Sequence, residues 1–309
     1  MVKIKVFVAV VAATVLSLAL GAGSSVGAPT SSAKKRPLFP VTIQTASGRV
    51  TIARRPVRIV SLSPTATENL FAVGAGRQVI AVDEFSNYPA RAPRTKLSGF
   101  QPNAEAIAGY RPDLVLLHTG GEIVGQLRAL GIRVIHLPAA ATLNQAYSEL
   151  IQVGRATGHP LAAQRVVRSM KARIGAAVAQ ARRRGSARLS VYHELTTDYY
   201  SASSRTFIGQ VYKLFGLRNI ADAAAGANSG YPKLSAEHII ASSPDVIVLA
   251  DSKCCGQTYA TVAARPGWGT IKAVRNRRVI RADDDVVSRW GPRIVGFVRA
   301  VASVVRSTP

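Results

Sequence analysis

The chain is poor in sulfur and in acid. Its only cysteines are the adjacent Cys254 and Cys255, and it has two methionines. One cysteine pair cannot supply a four-ligand zinc site, and there is no C-x-x-C redox motif. The five histidines, His118, His136, His159, His193 and His238, lack H-E-x-x-H or any other metal-ligand spacing, so no metal centre is expected. G-x-S-x-G and phosphate-loop signatures are also missing, which removes the commonest hydrolase and nucleotide-binding classes. Acidic residues number 16 against 40 basic ones, for a net charge of +24. The 30 arginines and 10 lysines are scattered rather than gathered with aromatics on one element, so no nucleic-acid module is visible. Such a surface favours anionic lipid headgroups or wall polymers.

The N-terminus carries an export pattern. Lys3 and Lys5 precede an apolar run from Val6 to Leu20 and then small residues, so residues 1–28 read as a signal peptide or a retained anchor. Residues 29–39, rich in small residues, proline and lysine, read as a disordered tether. With 48% hydrophobic residues, the remainder can bury two sizeable cores.

Those two cores are suggested by an internal repeat. Asn103-Ala-Glu105-Ala-Ile107 followed by Pro112-Asp113-Leu-Val-Leu-Leu117 is echoed, 132 residues later, by Ser235-Ala-Glu237-His-Ile239 and Pro244-Asp245-Val-Ile-Val-Leu249. Between the copies lies one helical stretch from Pro160 to Arg184, with apolar residues at helical spacing and Gly185 just beyond. About 24 residues at 1.5 Å rise make a rod of roughly 36 Å. The expectation is an α/β protein with an N-terminal lobe over residues 40–158, a linking helix over 159–185 and a C-terminal lobe over 186–309, with a cleft between the lobes.

Val41–Thr45 and Val50–Ile52 alternate around Ser47-Gly48 and predict a hairpin. Arg58–Leu62 predicts the first sheet strand, followed by Thr65 and Glu68 at capping-box spacing. Strands alternating with helices in both halves imply mainly parallel sheets, which bind ligands beyond the carboxyl ends of their strands. Those ends carry Ser63, Pro64, Tyr88, Phe100 and His118 in the first half, and His193, Glu194, Tyr199, Tyr200, Tyr231, Cys254, Cys255 and Trp290 in the second. The set is aromatic although the chain is only 6% aromatic, which favours a broad apolar ligand over a small ion. Cys254 and Cys255 form either a vicinal disulfide or two free thiols in a loop. Asp283-Asp284-Asp285 reads as a solvated turn, and His193-Glu194 as a pair able to orient a polar ligand group; a secreted enzyme would have to rely on that pair, or on Cys254 and Cys255 for redox chemistry.

Arg58-Ile-Val-Ser-Leu-Ser-Pro-Thr-Ala-Thr-Glu68, Gly74-Ala-Gly76, Tyr88-Pro89, Pro112-Asp113-Leu-Val-Leu and Ser288-Arg-Trp-Gly-Pro-Arg-Ile294 resemble the substrate-binding proteins of ABC importers for cobalamin and ferric siderophores. The first motif is most similar to the cobalamin branch, as is Tyr192-His-Glu followed by Tyr200-Ser201 and Thr206-Phe-Ile-Gly209. The resemblance implies two Rossmann-like lobes joined by one long helix, and an exported, non-enzymatic protein without a resident cofactor. It would work as a monomer and deliver a corrinoid, or alternatively a ferric siderophore or haem, to a membrane permease and its ATPase. It implies ligand contacts from Tyr88, Phe100 and Tyr231, with Phe100 and Tyr231 standing where the family has tryptophan; Tyr200 and Trp290, at the strand ends, join them as expected ligand contacts. It also implies that Glu105 and Glu237 dock into arginine pockets on the permease. The lipobox cysteine of many Gram-positive members is absent.

Overall fold

The computed structural model describes residues 37–183 and 189–306. The expected signal and most of the tether, the last residues of the expected linking helix and the extreme C-terminus lie outside the described residues. Among the described residues, no helix is long and apolar enough to cross a membrane.

The chain opens with the hairpin β1 (Val41–Thr45) and β2 (Gly48–Ile52), paired from Val41 with Ile52 to Thr45 with Gly48. Gly48, at φ 99°, supplies the turn conformation that side chains resist. The first lobe then runs β3 (Ile59–Leu62), α1 (Pro64–Ala72), β4 (Val79–Val82), α2 (Ala104–Gly109), β5 (Leu114–Leu117), α3 (Glu122–Ala129), β6 (Val134–His136) and α4 (Leu143–Thr157). Its four strands are all parallel, in the order β4-β3-β5-β6. Strands β3 and β5 are buried at every position, as expected of strands covered on both faces.

Helix α5 (Pro160–Arg182) follows after only Gly158 and His159; Gly158, at φ 82°, caps α4. The second lobe comprises β7 (Ser190–Glu194), α6 (Phe207–Leu214), β8 (Arg218–Asn219), α7 (Ala236–Ser242), β9 (Val246–Leu249), α8 (Tyr259–Ala263), α9 (Lys272–Arg275), β10 (Val279–Arg281), α10 (Asp284–Val287) and α11 (Ile294–Arg306). Its sheet, β10-β9-β7-β8, is again wholly parallel. The repeated helices start alike: Asn103 caps α2 by accepting from the Ala106 N–H, and Ser235 caps α7 by accepting from the His238 N–H.

The apolar interior has three parts. One small core lies on the outer face of each sheet, around Ile107 and Leu127 in the first lobe and Trp268 and Ile239 in the second. The third and largest is continuous across the molecule. It runs from Ile43 and Leu70 through Val167, Met170 and Ile174 of α5 to Phe297, Val298 and Val301 of α11. Helix α5 is therefore part of a shared interior rather than a bare strut.

One expectation fails locally. The N-cap of α1 is Ser63, whose hydroxyl accepts from the Ala66 N–H, and not Thr65. Glu68 does not turn back to the cap, because it is 3% exposed and bound to arginines of the other lobe. An ion pair to two guanidinium groups is a stronger attraction than a single backbone N–H.

Candidate ligand cleft

In each sheet the chain reverses its direction of winding between two neighbouring strands, at β3/β5 in the first lobe and β7/β9 in the second. The crevice beyond such a point is where open parallel sheets hold ligands. At the first-lobe crevice lies a cavity of about 470 Å³ whose walls include Phe85, Phe100, His118, Asp285, Arg289 and Trp290. The first three come from the first lobe and the last three from the second.

The aromatic wall is built from the strand ends. The Phe85 and Phe100 ring centres are 5.6 Å apart at 75°, and Phe100 meets the His118 ring edge-on at 5.8 Å. Phe85 and Phe100 are 51% and 66% exposed, so this wall presents apolar surface to the cleft. Beneath it, the buried Asp83 carboxylate accepts from the Phe85 N–H at 2.9 Å and the Ser86 hydroxyl at 2.5 Å. Burial raises the Asp83 carboxyl above its usual range, an effect those bonds oppose. The Ser86 hydroxyl is bonded in turn to Thr67 at 2.8 Å, which fixes the loop on α1.

An ionic wall joins the lobes beside the aromatic one. Glu68 Oε1 accepts from Arg289 Nη1 at 3.0 Å and from Arg293 Nη2 at 2.6 Å. Arg289 also donates to the Phe85 carbonyl, the Asn87 side chain and the Asp285 carboxylate. The Asp283-Asp284-Asp285 run is thus not a free solvated turn. Asp283 caps α10, Asp284 accepts the backbone N–H groups of Lys253 and Cys254, and Asp285 holds Arg289, Asn87 and Lys253. Through Asp284 the run also anchors the exposed Cys254–Cys255 loop, in which the two sulfurs form a vicinal disulfide.

A second bond between the lobes comes from Trp290, whose indole N–H donates to Glu149 of α4 at 2.7 Å. Burial lifts the Glu149 carboxyl from 4.5 to about 7 against the lowering effect of that N–H. The folded protein therefore holds a proton there that the unfolded chain releases, and stability falls as pH rises from about 4.5 to about 7. Glu149→Gln keeps an acceptor for Trp290 and removes the titration. Its unfolding free energy relative to wild type should improve between pH 5 and pH 8, by up to about 3 kcal/mol, as read by urea denaturation at the two pH values. An unchanged difference at the two pH values would show that Glu149 is ionised throughout.

Of the residues singled out from sequence, Phe100 and Trp290 share this cavity, together with His118, Ser63 and Pro64. Tyr88 does not line it. Its ring lies 4.3 Å beneath the Arg293 guanidinium, in a different concavity beside α1. Tyr200 and Tyr231 stand exposed at the second-lobe strand ends, where the Tyr200 segment pairs with Lys233. Glu105 and Glu237 are exposed in the first turns of α2 and α7. The Glu237 carboxyl is held below its usual range by its own backbone N–H and by Ser235.

His193 and Glu194 do not work together. As neighbours on a strand they face opposite sides of the sheet. His193 is fully buried against Tyr212 and Phe297, and burial depresses it to about 3. Glu194 forms a two-pronged ion pair with Arg265 at 2.6 Å on both prongs, beneath the buried Asp251. Asp251 is pushed up to about 7, first by burial and then by the Glu194 carboxylate.

Sequence reasoning missed Phe85 and Arg289. Phe85 sits three residues before Tyr88 in the same loop, and the available signal was its position two residues after Asp83 at the end of β4.

Comparison with known proteins agrees with this architecture. The chain is 33% identical to a cobalamin-binding protein of Halobacterium salinarum, over 87% of this chain and 75% of that one. It is 31% identical to an ABC transporter substrate-binding lipoprotein of Bacillus subtilis, over 92% of each. The fold matches a periplasmic haem-binding protein of Roseiflexus with a TM-score of 0.70 and 28% identity, over 81% of this chain and 97% of that one. Residues 59–286 match the periplasmic binding protein family, and with two such lobes around one helix the chain belongs to that family of binding rather than catalytic proteins.

Proposed function

We propose that the protein is exported, captures a corrinoid between its two lobes and hands it to an ABC permease at the outer face of the cytoplasmic membrane. The observation that carries this reading is the Phe85–Phe100 wall facing Trp290 across a cavity of about 470 Å³. A flat macrocycle is recognised by apolar and aromatic surface, and a site of this size suits a small molecule. The cobalamin-binding relative supports the choice of ligand. Tyr200 and Tyr231 extend the apolar surface on the second lobe, and the protein works as a monomer without a resident cofactor. Residues 1–28 direct export or serve as an anchor.

A haem or ferric siderophore is the alternative. His118 favours it, because it stands in the same wall and imidazole is a common iron ligand. Calorimetric titration with cyanocobalamin, haemin and a ferric hydroxamate separates the two. Cyanocobalamin should bind, and Phe85→Ala and Phe100→Ala should each weaken it about tenfold, as expected for truncating an aromatic contact. Because both rings are exposed, the variants should melt like wild type. Haemin binding that His118→Ala abolishes, with no response to cyanocobalamin, would replace the corrinoid by haem.

A further inference from the structure

Helices α5 and α11 lie against each other, and neither contains an acidic residue. Two concavities open along them. One, of about 610 Å³, is bounded by Phe71, Tyr88, Arg91, Arg173 and Arg293. The other, of about 470 Å³, is bounded by Arg173, Gln180, Arg299 and Arg306 over a floor of alanines. Arg173 belongs to both, so they form one groove, and from Arg293 to Arg306 its length is about 20 Å at the α-helical rise.

The groove is cationic and its charge is uncompensated. Its one carboxylate, Glu68, is already neutralised by Arg289 and Arg293. Arg91, Arg173 and Arg299 have no carboxylate partner among the described residues. Two guanidinium groups lie over aromatic rings, Arg91 over Phe71 at 5.4 Å and Arg293 over Tyr88 at 4.3 Å. Arg91, held in this way and without an ion pair among the described residues, keeps its planar edge for a phosphate oxygen and loses less freedom on binding, whereas the edge of Arg293 is occupied by Glu68.

We propose that this groove binds a linear phosphate-bearing polyanion. Its shape selects that class. A single phosphate would meet only one or two of the arginines, whereas a chain one phosphate wide can follow all of them. A bilayer surface would touch the rims and leave the alanine floor empty. The groove shares no lining residue with the aromatic cavity and is joined to it through the Glu68–Arg289 ion pair, away from Arg173 and Arg299, so binding at one does not test the other.

The test uses the full chain and long-chain inorganic polyphosphate, followed by the anisotropy of a labelled polymer. Binding should weaken steeply between about 50 and about 300 mM salt. Arg173→Gln with Arg299→Gln should lower the slope of log affinity against log salt by about two. Arg173→Glu with Arg299→Glu should reduce affinity at least about tenfold, with cyanocobalamin binding unchanged. Lys272→Glu with Arg275→Glu makes the same change of net charge on the exposed face of α9 and should reduce affinity less than about twofold. Equal losses in the two reversed variants would overturn the proposal in favour of diffuse surface charge. So would tight binding of anionic phospholipid vesicles without polyphosphate binding, which would assign the face to a membrane, or orthophosphate binding as tightly as the polymer.

Discussion

Glu68→Ala should destabilise the protein by about 3 kcal/mol or more, because it leaves two arginines without their shared partner at a site where one of them is only 8% exposed. Arg289 would keep Asp285, Asn87 and the Phe85 carbonyl, so the remaining loss would fall mainly on Arg293 and on the contact between the lobes. Lys253→Ala is the matched comparison. Its ion pair with Asp285 is largely exposed on the lysine side, and a surface pair is worth less than about 1 kcal/mol. Urea denaturation of both variants decides the matter. A Glu68→Ala loss no larger than that of Lys253→Ala would show that neither arginine depends on Glu68.

The second large effect concerns transport. Glu105→Lys combined with Glu237→Lys should abolish ligand uptake through the cognate permease while leaving ligand affinity intact. Both carboxylates are exposed at equivalent first-turn positions of repeated helices, one per lobe, in a chain with only 16 acids. Charges set in that way orient a complex and speed its formation rather than supply most of its affinity. A role confined to complementing the helix dipole would leave uptake untouched. Glu105→Gln with Glu237→Gln removes charge without adding repulsion and should give a milder defect. Uptake by vesicles holding the reconstituted permease is the measurement, and wild-type uptake by the double lysine variant would return both residues to that local role.

Much of the fold is legible because its signals are local. The hairpin, the strands Ile59–Leu62, Leu114–Leu117 and Val246–Leu249, the caps Asn103 and Ser235, and the long α5 each follow from periodicity or from a single turn. The two-residue strand β8 and the helices α8, α9 and α10, of four or five residues each, are too short to show a period and go unseen. The site divides in the same way. Phe100, His118 and Trp290 follow from the rule of strand ends. Glu68 looks like half of a capping box because its true partners, Arg289 and Arg293, lie more than 200 residues away. Phe85 and Tyr88 are equivalent as sequence, and only the path that Asp83 and Ser86 impose on the loop turns one towards the cavity and the other under Arg293.

The ionic wall bears on how fast ligand comes and goes. Its lobes are already bonded to each other beside the cleft, through Glu68 with its two arginines and Glu149 with Trp290. Capture then needs no large closing motion, so the association rate is set by encounter and orientation, and differences in affinity among related ligands appear as differences in residence time. Unloading then starts from lobes that are already bonded to each other. A partner that accelerates it by spreading the lobes has to draw the middle of α1, at Glu68, away from the start of α11, and the work of doing so is spent on the same few bonds that keep the empty cleft in shape.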